Sequence, residues 1–345
     1  MKKLFTTLTI SALVSLPLAS ISTITHAANV DGPKVDWNLS MWGKPRGFTK
    51  GLEALSEEVS KQTGGNFNIK IHYGSTLSKP KENLDGISLG AFQMAVTCMS
   101  YHPAKVPSGT VLDMPFIPFK DMYQQADAHD TVLNHPQILK EFKRWNAVPV
   151  MPALLPNYVP MGKGRAPEKI EDWKGIRIRA LGGQGNAMKT LGAVPVAMPS
   201  PEIYTALERG AIDAVALAYY AHKAFGIIDL ADWYIENMDL GSIACAVVAN
   251  DKALNQLPEQ YQKLLAASTS VALGAQIEGY KISNDTVGEN LPSSIKKITY
   301  EAETIKAFRA KAAQPTWDAW IEKHKKYGPS QEIFDLLISK SAAAQ

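Results

Sequence analysis

The chain has 345 residues, 46% of them apolar by type, and carries 36 Lys and Arg against 33 Asp and Glu. That is the composition of an ordinary globular protein long enough for about two domains, and its nearly balanced charge is no footprint for nucleic acid or an anionic membrane surface. Two cysteines, Cys98 and Cys245, and the lack of any C-x-x-C argue against a thiol oxidoreductase or a cysteine zinc site.

Lys2 and Lys3 precede an acid-free apolar run from Leu4 through Leu18, and small residues around Thr25-His26-Ala27-Ala28 suit a signal peptidase. Residues 1–28 are therefore expected to be a signal peptide that directs the chain to the periplasm. Without Lys2 and Lys3 the mature chain has 34 basic residues against 33 acidic ones. No later segment is apolar over the length of a membrane span, so the mature chain is expected not to be membrane-embedded.

From there strands and helices alternate. Val35 to Met41 reads as a strand, and Phe48, Leu52, Leu55 and Val59 recur at helical spacing until Thr63-Gly64-Gly65. Phe67, Ile69, Ile71 and Tyr73 alternate with polar residues, giving a half-buried strand. A helix from about Lys81 to Leu89 closes at Gly90, and Phe92 to Met99 reads as the next strand. This β-α-β-α-β order is the start of a doubly wound sheet. A helical segment spans about Met122 to Trp145, and Ala147 to Leu154 is a strand leading out of the first lobe.

The most informative stretch runs from Gly175 to Leu217. In the strand Ile176 to Ala180, alternation puts Arg177 and Arg179 on one face, with Arg179 nearer the carboxyl end. Ligands of open α/β sheets bind at that end of the strands, and a guanidinium there can hold a carboxylate through two charge-assisted hydrogen bonds. The pattern points to a receptor for a small organic acid. Ser200-Pro201 reads as an N-cap with proline at the first helical position, and Gly210 stops that helix. An apolar strand from Ser242 to Ala249, a long helix from about Pro258 to Leu291 and a charged helical segment from Ala302 to Tyr327 complete the chain. Cys98 and Cys245 each lie in a strand-like stretch. They could pair in an oxidising compartment, but buried free thiols are the expectation, because sequence does not bring their Cα atoms within reach.

The order and spacing of several segments resemble the periplasmic solute-binding subunit of tripartite ATP-independent periplasmic (TRAP) transporters. They include Glu58-Val59-Ser60-Lys61-Gln62-Thr63-Gly64-Gly65, Met114-Pro115-Phe116, Glu171-Asp172-Trp173-Lys174-Gly175-Ile176-Arg177-Ile178-Arg179, Leu191-Gly192-Ala193-Val194-Pro195-Val196 and Glu202-Ile203-Tyr204-Thr205-Ala206-Leu207, followed by Asp213. The resemblance implies a two-lobed α/β fold of the Venus-flytrap kind, with doubly wound sheets and a long helix spanning both lobes. Lobe 1 is expected over 29–155 plus about 244–281, and lobe 2 over 156–243 plus about 282–345. It also implies a monomer without cofactor that delivers its ligand to the small and large membrane subunits of an ion-driven permease.

By the same resemblance Arg179 is the carboxylate grip, and Arg177 is structural. Where many relatives carry a ligand-contacting asparagine after Asp213, this chain has Ala214-Val215-Ala216-Leu217. Ser200 stands where sialic-acid-binding relatives have a stacking phenylalanine, and Val159 where they have a second arginine. The pocket is thus expected to be roomier, more apolar and less cationic, suited to a monocarboxylate with an apolar or aromatic body. The competing reading within the family is a compact dicarboxylate or a sugar acid. Wall candidates at strand ends are Trp42, Met99, Tyr101, Tyr219 and Tyr220, the tyrosines offering both ring and hydroxyl, and the resemblance adds Ser200 and Leu217.

Other chemistries fit less well. Gly86-Ile87-Ser88-Leu89-Gly90 matches G-x-S-x-G, but a nucleophile elbow requires strand then helix, the reverse of the order here. Leu181-Gly182-Gly183-Gln184-Gly185 follows a strand as a dinucleotide loop would, yet Met188 occupies the place of the third small residue. It reads as a turn whose helix start favours a ligand anion. The histidines form no H-E-x-x-H, so a zinc enzyme is not expected. Adjacent Tyr219 and Tyr220 leave a ferric-ion receptor as a second binding reading, and an enzyme on a bilobal fold as the reading of another class.

Overall fold

A computed structural model describes residues 30–342; the expected signal peptide lies outside the described residues. Eleven strands form two sheets. They are β1 (Val35–Ser40), β2 (Phe67–His72), β3 (Met94–Cys98), β4 (Ala147–Ala153), β5 (Val159–Gly162), β6 (Arg177–Arg179), β7 (Val194–Val196), β8 (Ala214–Leu217), β9 (Trp233–Ile235), β10 (Cys245–Asn250) and β11 (Lys296–Ile298). One sheet runs β2-β1-β3-β10-β4 and the other β11-β9-β5-β8-β6-β7. The β1, β2 and β3 pairings are parallel, as the alternating pattern of helices predicts, and so are those of β6 with β7 and β8. In contrast β10 is antiparallel to both neighbours, and β5 is antiparallel to β8 and β9. Those two strands are the ones that enter a sheet from the other lobe.

The reversal has a consequence for the site. The carboxyl ends of β1, β3, β6, β7 and β8 and the amino ends of β5 and β10 all point toward the seam between the sheets. The two connecting segments meet there: Tyr158 donates its N–H to the Gly241 carbonyl at 2.8 Å, and Leu240 donates to the Tyr158 carbonyl at 3.1 Å.

Most elements form where periodicity places them. Helix Lys50–Gln62 buries Leu52, Leu55 and Val59 against the first sheet, and helix Asn83–Leu89 ends on Gly90 at φ 69°. Three expectations are corrected. The segment Met122 to Trp145 is two helices, Met122–Leu133 and Pro136–Lys143, because Pro136 has no N–H to extend the first and suits the start of the second. Ser200 opens a 3-10 turn rather than capping a helix with its hydroxyl. Cys98 and Cys245 are joined in a disulfide, not free: β3 and β10 pair so that the two residues lie directly opposite, with Cα atoms 3.8 Å apart.

Helix Glu259–Tyr280 lies along Lys50–Gln62, close enough that a Cβ on Gly51 would sit 3.0 Å from the Ala272 carbonyl oxygen. It continues through one π turn, Lys281–Asp285, into helix Thr286–Glu289, which packs on the second lobe against Tyr219. Gln276 and Tyr280 fasten this helix to the first crossing, through Leu154 N–H to Gln276 Oε1 (3.0 Å) and the Tyr280 hydroxyl to the Leu154 carbonyl (2.8 Å). The last helix, Ser330–Ser339, packs with Leu84, Ile87 and Val132 on the outer face of the first sheet, whereas the expected boundary grouped 282–345 with the second lobe.

Candidate functional site

Strand β6 divides the work of its two arginines. Arg177, half exposed, donates from its backbone N–H, Nε and Nη2 to Asp213, whose carboxyl is held below the usual carboxylate range chiefly by the guanidinium hydrogen bond. It acts as a clasp between β6 and the start of β8. Arg179 is 0% exposed. Its Nε and Nη2 both donate to the Met198 carbonyl at 3.1 Å, and Nη1 reaches the Ala216 carbonyl at 3.3 Å. Three of its five N–H groups are thus placed, and none of the ion pairs among the described residues involves it.

The surroundings supply no compensating anion. Burial pushes the Tyr158 hydroxyl well above its ordinary range, against the opposing effect of the Arg179 charge, so that phenol stays protonated. Burial also drives His222 down to about 4, leaving a neutral ring whose Nε2 bonds the Val159 carbonyl at 3.0 Å. A buried guanidinium paired only with carbonyl dipoles carries a desolvation cost of several kcal/mol that an incoming carboxylate would offset.

Arg179 lines none of the described cavities, but Tyr158, on which its charge acts, lines a cleft between the lobes. Its first wall is Trp42, Phe48 and the Cys98–Cys245 disulfide; its second is Ser200, Leu217, Tyr220, Ala221 and Phe225. Tyr101 crosses between them: Ser200 donates its N–H to the Tyr101 hydroxyl at 3.1 Å, and the two hydroxyls are also 3.1 Å apart. The Tyr101 ring meets Trp42 edge-on at 5.8 Å, and Tyr220 leans on Tyr280 at 4.9 Å. Only about 20 Å³ remains between the walls, space for one water molecule. The expected roomier pocket is therefore corrected. Small side chains at 200 and 217 leave volume that Tyr101, Tyr158, Phe48 and Phe225 fill from other elements, so ligand entry requires the lobes to part.

Of the wall candidates, Trp42, Tyr101, Ser200, Leu217 and Tyr220 line the cleft. Met99 and Tyr219 do not. Met99 and Tyr101 belong to one 3-10 turn, in which residues two apart cannot share a face, and Met99 packs instead beside Val106 and Gly109 in the outer core. Tyr219 and Tyr220 open helix Tyr219–Ala224, where consecutive side chains diverge, and Tyr219 packs against Tyr234 at 6.4 Å. The two phenols do not converge on an ion, and burial pushes Tyr219 up to about 12, so the ferric reading loses its paired phenolates. Among the described residues no group of His, Cys, Asp and Glu could hold a metal, and no helix is long and apolar enough to cross a membrane.

Residues outside the candidate set also line the cleft: Arg46, Phe48, Leu155, Tyr158 and Phe225. Arg46 was within reach of the strand-end argument that selected Trp42. Tyr158 lies on a crossing segment, and Phe225 ends a short helix without a pattern of its own.

A second, larger cavity of about 560 Å³ opens beside the cleft, between Ser100, Asp113, Gly182, Asn186, Lys323 and His324. Asp113 accepts from the Ser100 hydroxyl at 2.5 Å and the Ala244 N–H at 2.6 Å, and burial pushes its carboxyl up to about 7. The start of helix Gly182–Lys189 packs on Asp113, a Cβ on Gly182 lying 3.1 Å from the Asp113 Cβ. The carboxylate beside that helix start thus belongs to the protein.

Two lobes joined by crossing segments, with a cleft at their strand ends, have the layout of a solute-binding fold. The family model for the bacterial extracellular solute-binding proteins, family 7, matches residues 41–324, and the chain belongs to that family. A monocarboxylate 2-oxoacid-binding periplasmic protein of Nostoc sp. is 23% identical across 97% of this chain and 92% of its own length. Among solved structures, a TRAP periplasmic solute-binding protein of Desulfovibrio salexigens with bound orotic acid superposes with a TM-score of 0.80 at 18% identity, covering 90% of this chain and all of its own. A TRAP solute-binding protein of Rhodoferax ferrireducens with copurified benzoate gives 0.77 at 20% identity, covering 89% of this chain and 97% of its own. The two-lobed fold expected from the resemblance is confirmed.

Proposed function

We propose that this protein is a periplasmic receptor that captures a small monocarboxylate with an apolar or aromatic body and delivers it to a TRAP-type permease. The observation that carries the reading is Arg179, a fully buried cation with no ion pair among the described residues, whose charge reaches Tyr158 in the wall of a cleft lined by aromatic rings. The carboxylate of the ligand engages the free N–H groups of Arg179, and rings from both lobes cover the rest. Contact shared between lobes favours the closed form, so binding shifts the population toward closure.

In this reading lobe 1 comprises 30–155, about 244–281 and the last helix, and lobe 2 comprises 156–243 and about 282–300. Binding is the whole of the chemistry, with no cofactor and no turnover. The benzoate and orotic acid in two solved relatives and the 2-oxoacid name of the Nostoc relative support an acid with a flat or apolar body. The β-D-galacturonate bound by a TRAP protein of Sulfitobacter shows that other members take sugar acids, for which these apolar walls offer few partners.

The test is a thermal-shift screen against aliphatic, 2-oxo, aromatic and sugar acids, since ligand at a hundred times its dissociation constant stabilises by about 2.7 kcal/mol. The expected hits are monocarboxylates with apolar or aromatic bodies. A response confined to sugar acids or citrate overturns the ligand class.

A further inference from the structure

The wall of the cleft itself carries one cation among the described residues, Arg46. We propose that Arg46 is a specificity-determining residue, binding an acceptor oxygen that the ligand carries in addition to the carboxylate held by Arg179. The proposal rests on the reading of Arg179 as the carboxylate site. It narrows the ligand to a monocarboxylate that adds a keto or hydroxyl oxygen to its apolar or aromatic body.

Arg46 follows β1 in the first lobe and lines the cleft. Its backbone is held by Thr49, whose hydroxyl accepts from the Arg46 N–H at 2.9 Å and whose own N–H returns to the Arg46 carbonyl at 2.9 Å. Nη1 is fastened to the Trp42 and Lys44 carbonyls at 3.0 and 2.9 Å, an approach that requires glycine at 43, where a Cβ would lie 2.8 Å from Nη1. The guanidinium sits 5.2 Å from the Phe48 ring centre and 5.4 Å from that of Phe225, so an aromatic residue from each lobe shields it from water.

With Nη1 engaged, the opposite edge of the fork remains. Nε is buried and has no hydrogen-bond partner, and the guanidinium also reaches the Tyr220 hydroxyl in the cleft wall by its charge and a side-chain hydrogen bond. No described carboxylate answers it: Glu53, the acid in the first turn of the following helix, is taken by Thr49, Lys50 and Tyr73. A rigidly held guanidinium in the cleft wall, with a buried Nε left without a partner and no counter-ion, is complementary to an acceptor oxygen. The expectation of a less cationic pocket, drawn from Val159, is corrected by an arginine that arrives from the other lobe.

The experiment compares matched acids by calorimetry: pentanoate with 2-oxopentanoate, and benzoate with 3-hydroxybenzoate. The wild type is expected to bind at least one substituted acid about tenfold or more tighter than its parent. Arg46→Met, which keeps the stem and removes the charge, is expected to bring the pair within about threefold by weakening the substituted acid more than its parent, and Arg46→Lys to restore part of the preference. Arg179→Met weakens both members of each pair. Discrimination that survives Arg46→Met, or an equal loss for parent and substituted acids, overturns the proposal and makes Arg46 a latch between the lobes. If parent acids bind the wild type and the substituted ones gain nothing, Arg46 alone is misread; if no acid binds, the Arg179 reading fails and takes this one with it.

Discussion

Replacing Arg179 with Met should separate ligand affinity from folding stability. The substitution keeps an unbranched stem but removes the charge and three hydrogen bonds, to Met198 and Ala216. Losing those bonds costs about 1 kcal/mol each, and relieving a buried guanidinium without an anion returns several kcal/mol. The terms oppose each other, so the ligand-free variant should differ from the parent by less than about 2 kcal/mol in urea unfolding. Affinity has no such compensation. Removing the partner of a desolvated carboxylate costs roughly 2–5 kcal/mol, about 30-fold to several thousand-fold in Kd by calorimetry. Protein for both measurements is refolded from denaturant to strip carried-over ligand. Binding within about threefold of the parent, or a stability loss as large as the affinity loss, would show that Arg179 is a structural residue.

Three further outcomes follow from neighbouring features. Reducing the Cys98–Cys245 bridge, which closes a separation of 147 residues, should lower stability by about 2–5 kcal/mol, and an unchanged urea midpoint with reductant would contradict a disulfide in the folded protein. Tyr101→Phe removes the hydroxyl that ties the lobes through Ser200; a loss of about 1 kcal/mol in affinity and a larger radius of gyration in ligand-free scattering are expected, and no change in either refutes the bridging role. The Asp113 carboxyl is pushed up from 3.8 to about 7 by burial, so between those values the folded state holds a proton that the unfolded chain has released. Its contribution is therefore favourable at low pH and is lost as pH rises toward 7. Asp113→Asn should gain stability relative to the parent between pH 5 and 8, and a parallel pH profile for the two proteins would refute this.

Local pattern was enough for the β-α-β-α-β start, the helix Lys50–Gln62, the strand of the two arginines and Arg179 itself, because periodicity and strand ends are properties of consecutive residues. Strand ends also pointed to Trp42, Tyr101 and Tyr220, and the family resemblance to Ser200 and Leu217, all of which line the cleft. It failed for Met99 and Tyr219, where a tight turn and a helix start rotate neighbouring side chains away from one another within two residues. It failed for the disulfide, whose halves meet only because β10 returns from the second lobe to pair with β3.

Residue order thus determined which segments are strands and helices, and which arginine stands at a strand end. Tertiary structure alone decided that Arg179 has no ion pair among the described residues, that Arg46 lines the cleft from the other lobe, and that aromatics from distant segments close it. Those properties depend on the approach of groups more than a hundred residues apart in the chain, and local spacing carries no information about which of them will meet.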